Sequence, residues 1–434
     1  MWLGVTTSRI DKLFLFLAIF FIFFGVKKVF VTTESYLTGM YSDFTSITLY
    51  GFQLVVLVWG LFSYKEASQG VRGLYVKYKF LFWALLVSQV LTLSFTLNVV
   101  LYAKYLVSFL IAGLLCFTLN NYITKYGVKH ILVCFTIFCT LVSILSIAQF
   151  HVKHDFGLKY FGEPELILGH PGVASVSHGT YRLLRPYATF PHPNVLAMVL
   201  AVGVLFLAFD VSRENITKSR FIRMLLLLLF LAVLVLTFSR GTMVSLLFAV
   251  SCGTLYSLLK EGGKMILRET FLIGIIVVLG IGFTLYAQAT RYDLSDQSVS
   301  LRWELLKVSR EVIIENPILG VGLGQVLPTY AFSGKEVFHT AWAIQPVHNF
   351  FILFILENGL PLFVIFSIYI VRRVRKWLKY IVSHDECFTW GAFLITVSML
   401  DHYYYTLPQA TAIFCIVLVV SQTLCAQKPL KQEV

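Results

Sequence analysis

Five short stretches of this 434-residue chain carry residue types able to do chemistry within an otherwise apolar sequence. The first is Arg185-Pro-Tyr-Ala-Thr-Phe-Pro-His-Pro-Asn194. Its prolines set an extended approach to the apolar run that follows, and Asn194 is suited to cap a helix there. Arg185 then stands just outside that helix, as an anion ligand or as a snorkelling interface residue. The second is Thr237-Phe-Ser-Arg-Gly241, where Arg240, beside Ser239, interrupts a long apolar stretch. An arginine so close to lipid is costly and usually pairs with an anion; a tight hairpin at the interface is the competing reading. The third runs from Arg302-Trp-Glu to Asn316-Pro-Ile-Leu-Gly-Val-Gly-Leu-Gly324. Its glycines lack the flanking strand and helix of a nucleotide loop, yet exposed backbone amides can hold an anion. The fourth is Val347-His-Asn-Phe-Phe351, followed by Glu357-Asn-Gly-Leu-Pro361. A histidine at an outer helix start, such as His348, can titrate near neutral pH, which makes it a candidate general base, or it is a simple cap there. The fifth is Asp401-His-Tyr-Tyr-Tyr-Thr-Leu-Pro408. An aromatic belt accounts for its tyrosines. It does not account for Asp401 and His402, and an aspartate can orient a histidine.

Guanidinium forks match phosphate oxygens two at a time, which suits a departing diphosphate as negative charge builds on it. A hydroxyl nucleophile needs a base. Arg185, Arg240, Arg302 and His348 therefore make up a kit for transfer from a lipid diphosphate. Glu163-Pro-Glu165 is the one acidic pair that a metal could use, and its proline and lack of partners count against it. We expect no metal and no cofactor.

The elements that must position these residues are membrane helices. Hydrophobic residues make up 58% of the chain and charged ones 13%, with a mean hydropathy of +0.80. A soluble domain carries about 25% charged residues, so lipid must be the solvent for most of this surface. The apolar runs predict about twelve spans: 13–32, 46–64, 79–96, 101–119, 130–149, 193–209, 221–238, 241–258, 269–288, 347–371, 388–404 and 408–425. With the N-terminus in the cytoplasm, 22 of the 35 Lys and Arg residues fall in cytoplasmic segments, as the positive-inside rule requires. The net charge of +13 is thus a topology signal rather than a nucleic-acid footprint. Arg9 and Lys12 precede an apolar run without a cleavage site after it, which reads as an uncleaved first span. Seven cysteines without a CxxC give no expectation of a disulfide framework or a zinc site. Two long outer loops, 150–192 and 289–346, fall on one side together with most of the histidines. Within the second, Leu301, Leu305, Val308 and Val312 recur at helical spacing and predict a surface helix over 300–315.

The order of these motifs, across residues 180–365 and the Asp-His-Tyr hairpin, resembles the O-antigen ligase and polymerase superfamily. The resemblance implies an all-α, polytopic, GT-C-like membrane glycosyltransferase of the bacterial inner membrane. It implies an inverting, metal-independent transfer from a polyprenyl-diphosphate-linked glycan to a glycan or lipid-anchored acceptor, on the outer face. His348 would be the base, and Arg185, Arg240 and Arg302 the diphosphate ligands. Asn194, Ser239, Asn349, Asp401 and His402 would support them, and the span 193–209 and the surface helix would border a lipid-facing cavity. Ala188 stands where relatives often have glycine, which puts the local backbone path in doubt. Ligase and polymerase differ only in acceptor and are not separated. The alternative is a transporter or flippase for a glycan or lipid-linked substrate. Against it stand the absence of paired broken helices and ionisable residues gathered at span ends rather than mid-membrane. A non-catalytic scaffold is the third reading.

Overall fold

The computed structural model describes residues 2–37, 39–170, 172–178, 181–213, 218–260, 297–334, 343–381 and 385–426, with positions 274, 280 and 282 in isolation. The expected span 269–288 lies outside the described residues apart from those three positions. The chain is mostly helical. Its long helices are α1 (Trp2–Phe23), α2 (Gly51–Phe62), α3 (Tyr64–Leu93), α4 (Val99–Tyr126), α5 (Lys129–Val152), α6 (Pro193–Arg213), α7 (Lys218–Leu236), α8 (Arg240–Lys260) and α9 (Gln297–Glu315). The short α10 (Val326–Ala331), then α11 (Phe350–Ile381), α12 (Asp385–Leu400), the one-turn α13 (Tyr403–Thr406) and α14 (Pro408–Ala426) complete it. Val99–Tyr126, Lys129–Val152 and Phe350–Arg372 are long and apolar enough to cross a membrane, and five shorter apolar helices accompany them. Leu61, Phe62 and Leu259 are each at least 70% exposed. Such side chains belong against hydrocarbon.

The all-α expectation needs correction. Three two-stranded antiparallel sheets occur: β1 (Lys27–Phe30) with β4 (Ile47–Tyr50), β2 (Tyr36–Leu37) with β3 (Met40–Tyr41), and β5 (Ser175–His178) with β6 (Tyr181–Leu184). The first occupies the end of the expected span 13–32. Helix α1 stops at Phe23 because tertiary partners take its last carbonyls: Thr189 Oγ1 donates to Phe23 O at 2.5 Å, and Gln409 Nε2 donates to Ile22 O at 2.7 Å. The backbone then passes so close to Gly162 that a Cβ there would strike Gly25. One cysteine also departs from expectation, since Cys387 at the start of α12 is disulfide-bonded.

Two main apolar cores form among the described residues, with two small satellite clusters. The larger gathers α1, α2, α4 to α8, α12 and α14 around α6, whose residues 195–209 are buried on every side. Helix α6 is therefore the central pillar of this core. The smaller core joins the start of α4 to α9, α10 and α11, and in it Leu301, Leu305, Val308 and Val312 are buried. Tyr403 belongs to the first core and Tyr405 to the second, so the 401–407 hairpin lies across the seam.

Helix α11 is broken at Gly359, which has φ 76°. Pro361 has no N–H for the carbonyl of Glu357, and Leu360 N donates instead to Pro317 O at 2.9 Å. Two carbonyls are thereby orphaned. Val321 N takes Leu356 O at 2.8 Å, and Gly322 N takes Glu357 O at 3.1 Å. A Cβ at Gly320 or Gly359 would collide with the facing backbone. The glycine loop is thus sewn into the gap of a helix and has no amides of Val321 or Gly322 left for an anion.

Candidate functional site

The path from β6 into α6 is held by one buried glutamine. Gln149 Oε1 accepts from Tyr187 N at 3.1 Å and Ala188 N at 2.7 Å, while Nε2 donates to Ala188 O at 3.2 Å. Ala188 has φ 49°, a left-handed conformation that a Cβ disfavours by about 1–2 kcal/mol. The doubt raised by alanine at this position is answered: the backbone follows a glycine-like path and Gln149 clamps it. Gln149 Nε2 also donates to Glu163 Oε1 at 2.7 Å, and that carboxylate accepts from Phe156 N and Leu158 N. Glu163 is spent on backbone, which removes it from the acidic pair.

Helix α6 is capped differently from expectation. Asn194 N donates to His192 Nδ1 at 3.1 Å, so His192 caps the helix ahead of Pro193. The Asn194 side chain is free to turn inward. Its Oδ1 accepts from Arg185 Nη2 at 2.5 Å, its Nδ2 faces Tyr403 Oη at 3.5 Å, and it also supports the Asp401 carboxyl. Arg185 Nε donates to Thr237 O at 2.6 Å. That carbonyl is presented because α7 ends in a left-handed turn at Phe238, φ 51°. The first two sequence motifs are therefore one unit. Ser239 Oγ lies 3.1 Å from Thr242 Oγ1 in the first turn of α8. Arg240 opens that helix, and a Cβ on the adjoining Gly241 would lie 3.6 Å from Leu400 Cβ, just before Asp401.

Asn349 caps α11 by accepting from Ile352 N at 3.0 Å and ties it to α12 by donating to Met399 O at 3.0 Å. This brings His348 onto the hairpin, its ring 5.1 Å from that of His402 and nearly perpendicular to it. Asp401 Oδ1 accepts from His402 N at 2.8 Å, and His402 Nδ1 shares a hydrogen bond with Thr406 Oγ1 at 2.8 Å. Tyr403 and Tyr404 are 6% and 5% exposed. They are core residues, not the interfacial belt their composition suggests; Tyr405 is equally enclosed and donates to Glu357 Oε2 at 2.7 Å.

Burial pushes the His192 and His348 imidazoles well below the usual histidine range, with Arg302 adding to the effect on both. Burial, then Arg302, brings His402 down to about 3. All three are neutral at physiological pH. Burial pushes Asp401 up to about 7, with Asn194, Arg302 and Arg185 pulling the other way. Arg185 and Arg302 therefore act on the same groups, namely His192, Asp401 and Tyr403. The structure brings together Arg185, Asn194, Arg302, His348, Asp401 and His402. Arg240 is placed only through its neighbour Gly241. His192 and Tyr403 join the cluster without having been chosen from sequence. The prolines around His192 were the available signal, while Tyr403 carried none apart from its adjacent His402.

The fold and this cluster define a mostly helical integral membrane protein with a polar site at the ends of its helices. Residues 225–367 match the family described as O-antigen ligase. That segment is about a third of the chain, is similar to the O-antigen ligase family and spans Arg240, Arg302 and His348. A comparison with curated proteins gives no match.

Proposed function

We propose that this protein transfers a glycan from a polyprenyl-diphosphate donor to an acceptor hydroxyl, with inversion and without a metal. The reading sets the site on the outer face of a bacterial inner membrane, within a twelve-span, GT-C-like bundle whose termini are both cytoplasmic. What carries it is the meeting of Arg185 and Arg302 on one buried group of residues that also holds a neutral histidine. His348 takes the proton of the acceptor hydroxyl. The oxygen attacks the anomeric carbon from the face opposite the diphosphate, and the bond to the diphosphate breaks with its electron pair leaving on the phosphate. Arg185, Arg240 and Arg302 receive that charge. The new imidazolium is faced by Asp401, whose carboxylate stabilises it. Asn194 holds Arg185, Ser239 steadies the start of α8, and Asn349 fixes the approach of His348.

The test is reconstitution in lipid with a polyprenyl-diphosphate-linked glycan and a soluble acceptor, with and without chelator. His348→Ala is expected to bind donor and remain folded but to transfer nothing. Full transfer by that variant overturns the base, and loss of wild-type transfer on chelation overturns the metal-free chemistry. Movement of the donor across the bilayer without transfer would favour a flippase.

A further inference from the structure

The His348, Asp401 and His402 group has unused donor capacity. One donor atom of each residue lies within 4.8 Å of one from each of the others. His348 Nδ1 and His402 Nε2 are enclosed and have no hydrogen-bond partner among the described residues. Enclosed polar atoms are normally satisfied, so two such nitrogens on adjoining rings call for a shared ligand. Thr406 Oγ1 holds His402 Nδ1, the outer hydrogen bond that commonly orients a ligating imidazole and leaves its other nitrogen free. The His402 amide anchors one Asp401 oxygen.

We propose that His348, Asp401 and His402 form a binding site for a divalent transition-metal cation of the zinc class, and that a cation seated there stops transfer. Two imidazole nitrogens and one carboxylate suit zinc, cobalt or nickel, whereas magnesium and calcium prefer all-oxygen shells. Their spacing needs only a modest closing for nitrogen distances of about 2.0–2.1 Å to one ion. Arg302 and Arg185 act against a cation, which makes this a reversible inhibitory site and not the seat of a resident cofactor. Inhibition follows because the metal occupies the lone pair that His348 needs as a base; that half rests on the function proposed above, while binding does not.

The test uses the full chain in detergent micelles after chelator treatment, titrated with Co²⁺ and followed by its visible absorption. A nitrogen-ligated band is expected in the wild type and in His170→Ala, a histidine outside the cluster. It is expected to disappear in His402→Ala and in Asp401→Asn, each checked for folding by its melting curve. No band in the wild type, or a band that survives in both variants, overturns the site. Zn²⁺ is expected to lower transfer by about a hundredfold or more, reversibly on chelation, since that is the scale of a general base. Unchanged transfer at Zn²⁺ concentrations that displace Co²⁺ overturns the inhibition. If His348→Ala retains transfer yet loses the cobalt band, the base fails and the metal site stands.

Discussion

Two polar regions meet helix α11, and they end in opposite states. In the Gly320–Gly324 loop, the amides of Val321 and Gly322 are spent on the two carbonyls that the break at Gly359 releases. In the 401–407 hairpin and its neighbours, two imidazole nitrogens have no hydrogen-bond partner among the described residues. Both read in the sequence as motifs fit for an anion or a reaction. The second keeps enclosed ring nitrogens unspent. Spent hydrogen bonds mark architecture, and unspent ones held in a low-dielectric setting mark chemistry.

That contrast can be broken most sharply by substituting one residue from each side. His348→Ala should lower transfer by about a hundredfold to ten-thousandfold while leaving the melting temperature unchanged; a large fall in melting temperature would make His348 architectural. Gly359→Ala should do the reverse. Its Cβ would collide with Ile318 O at a backbone angle of φ 76°, a combined cost of about 3 kcal/mol. Thermal unfolding in detergent measures it, and an unshifted transition would refute the sewn helix break. Gln149→Leu leaves the Tyr187 and Ala188 amides unpaired and should cost about 1–3 kcal/mol, read in the same assay.

Asp401 tests the chemical side more finely. Its carboxyl is pushed up to about 7, so the carboxylate that supports the imidazolium exists above that pH and is lost as pH falls through it. Wild-type transfer should therefore decline below about pH 7. Asp401→Asn should lose that limb and run about tenfold slower at pH 8, one unit of interaction being about 1.4 kcal/mol. An unaltered pH profile would remove Asp401 from the reaction. The smallest effect belongs to Ala188→Gly. Relief of a left-handed alanine gives about 1–2 kcal/mol, and the freer unfolded chain returns about 0.4–1 kcal/mol, so a slight gain in stability is expected.

Much of the helical frame was legible because a 3.6-residue period and long apolar runs are local properties. The buried stripe Leu301, Leu305, Val308 and Val312 is the clearest instance. The oddity of Ala188 was legible only through the resemblance, and its left-handed backbone came from the structure. The β1–β4 pairing was not, because Lys27 and Tyr50 are brought together only after Thr189 and Gln409 have ended α1. The work of the glycine loop was hidden for the same reason: its partners are carbonyls on a helix that follows it in the chain. At the site, Arg185, Asn194, Arg302, His348, Asp401 and His402 stood out as costly residues in an apolar chain. Tyr403 and His192 looked ordinary until the hairpin and α6 were set side by side.

The sewn break in α11 has a mechanical consequence. Helix α9 carries Arg302, and the segment just after it is laced by main-chain bonds to the helix that begins beside His348. Arginine and histidine therefore ride on one bracket tied by peptide groups, which side-chain exchanges away from Gly320, Gly359 and Pro361 leave in place. The lipid-facing shell is left free to drift in sequence while the gauge of the reaction centre stays constant.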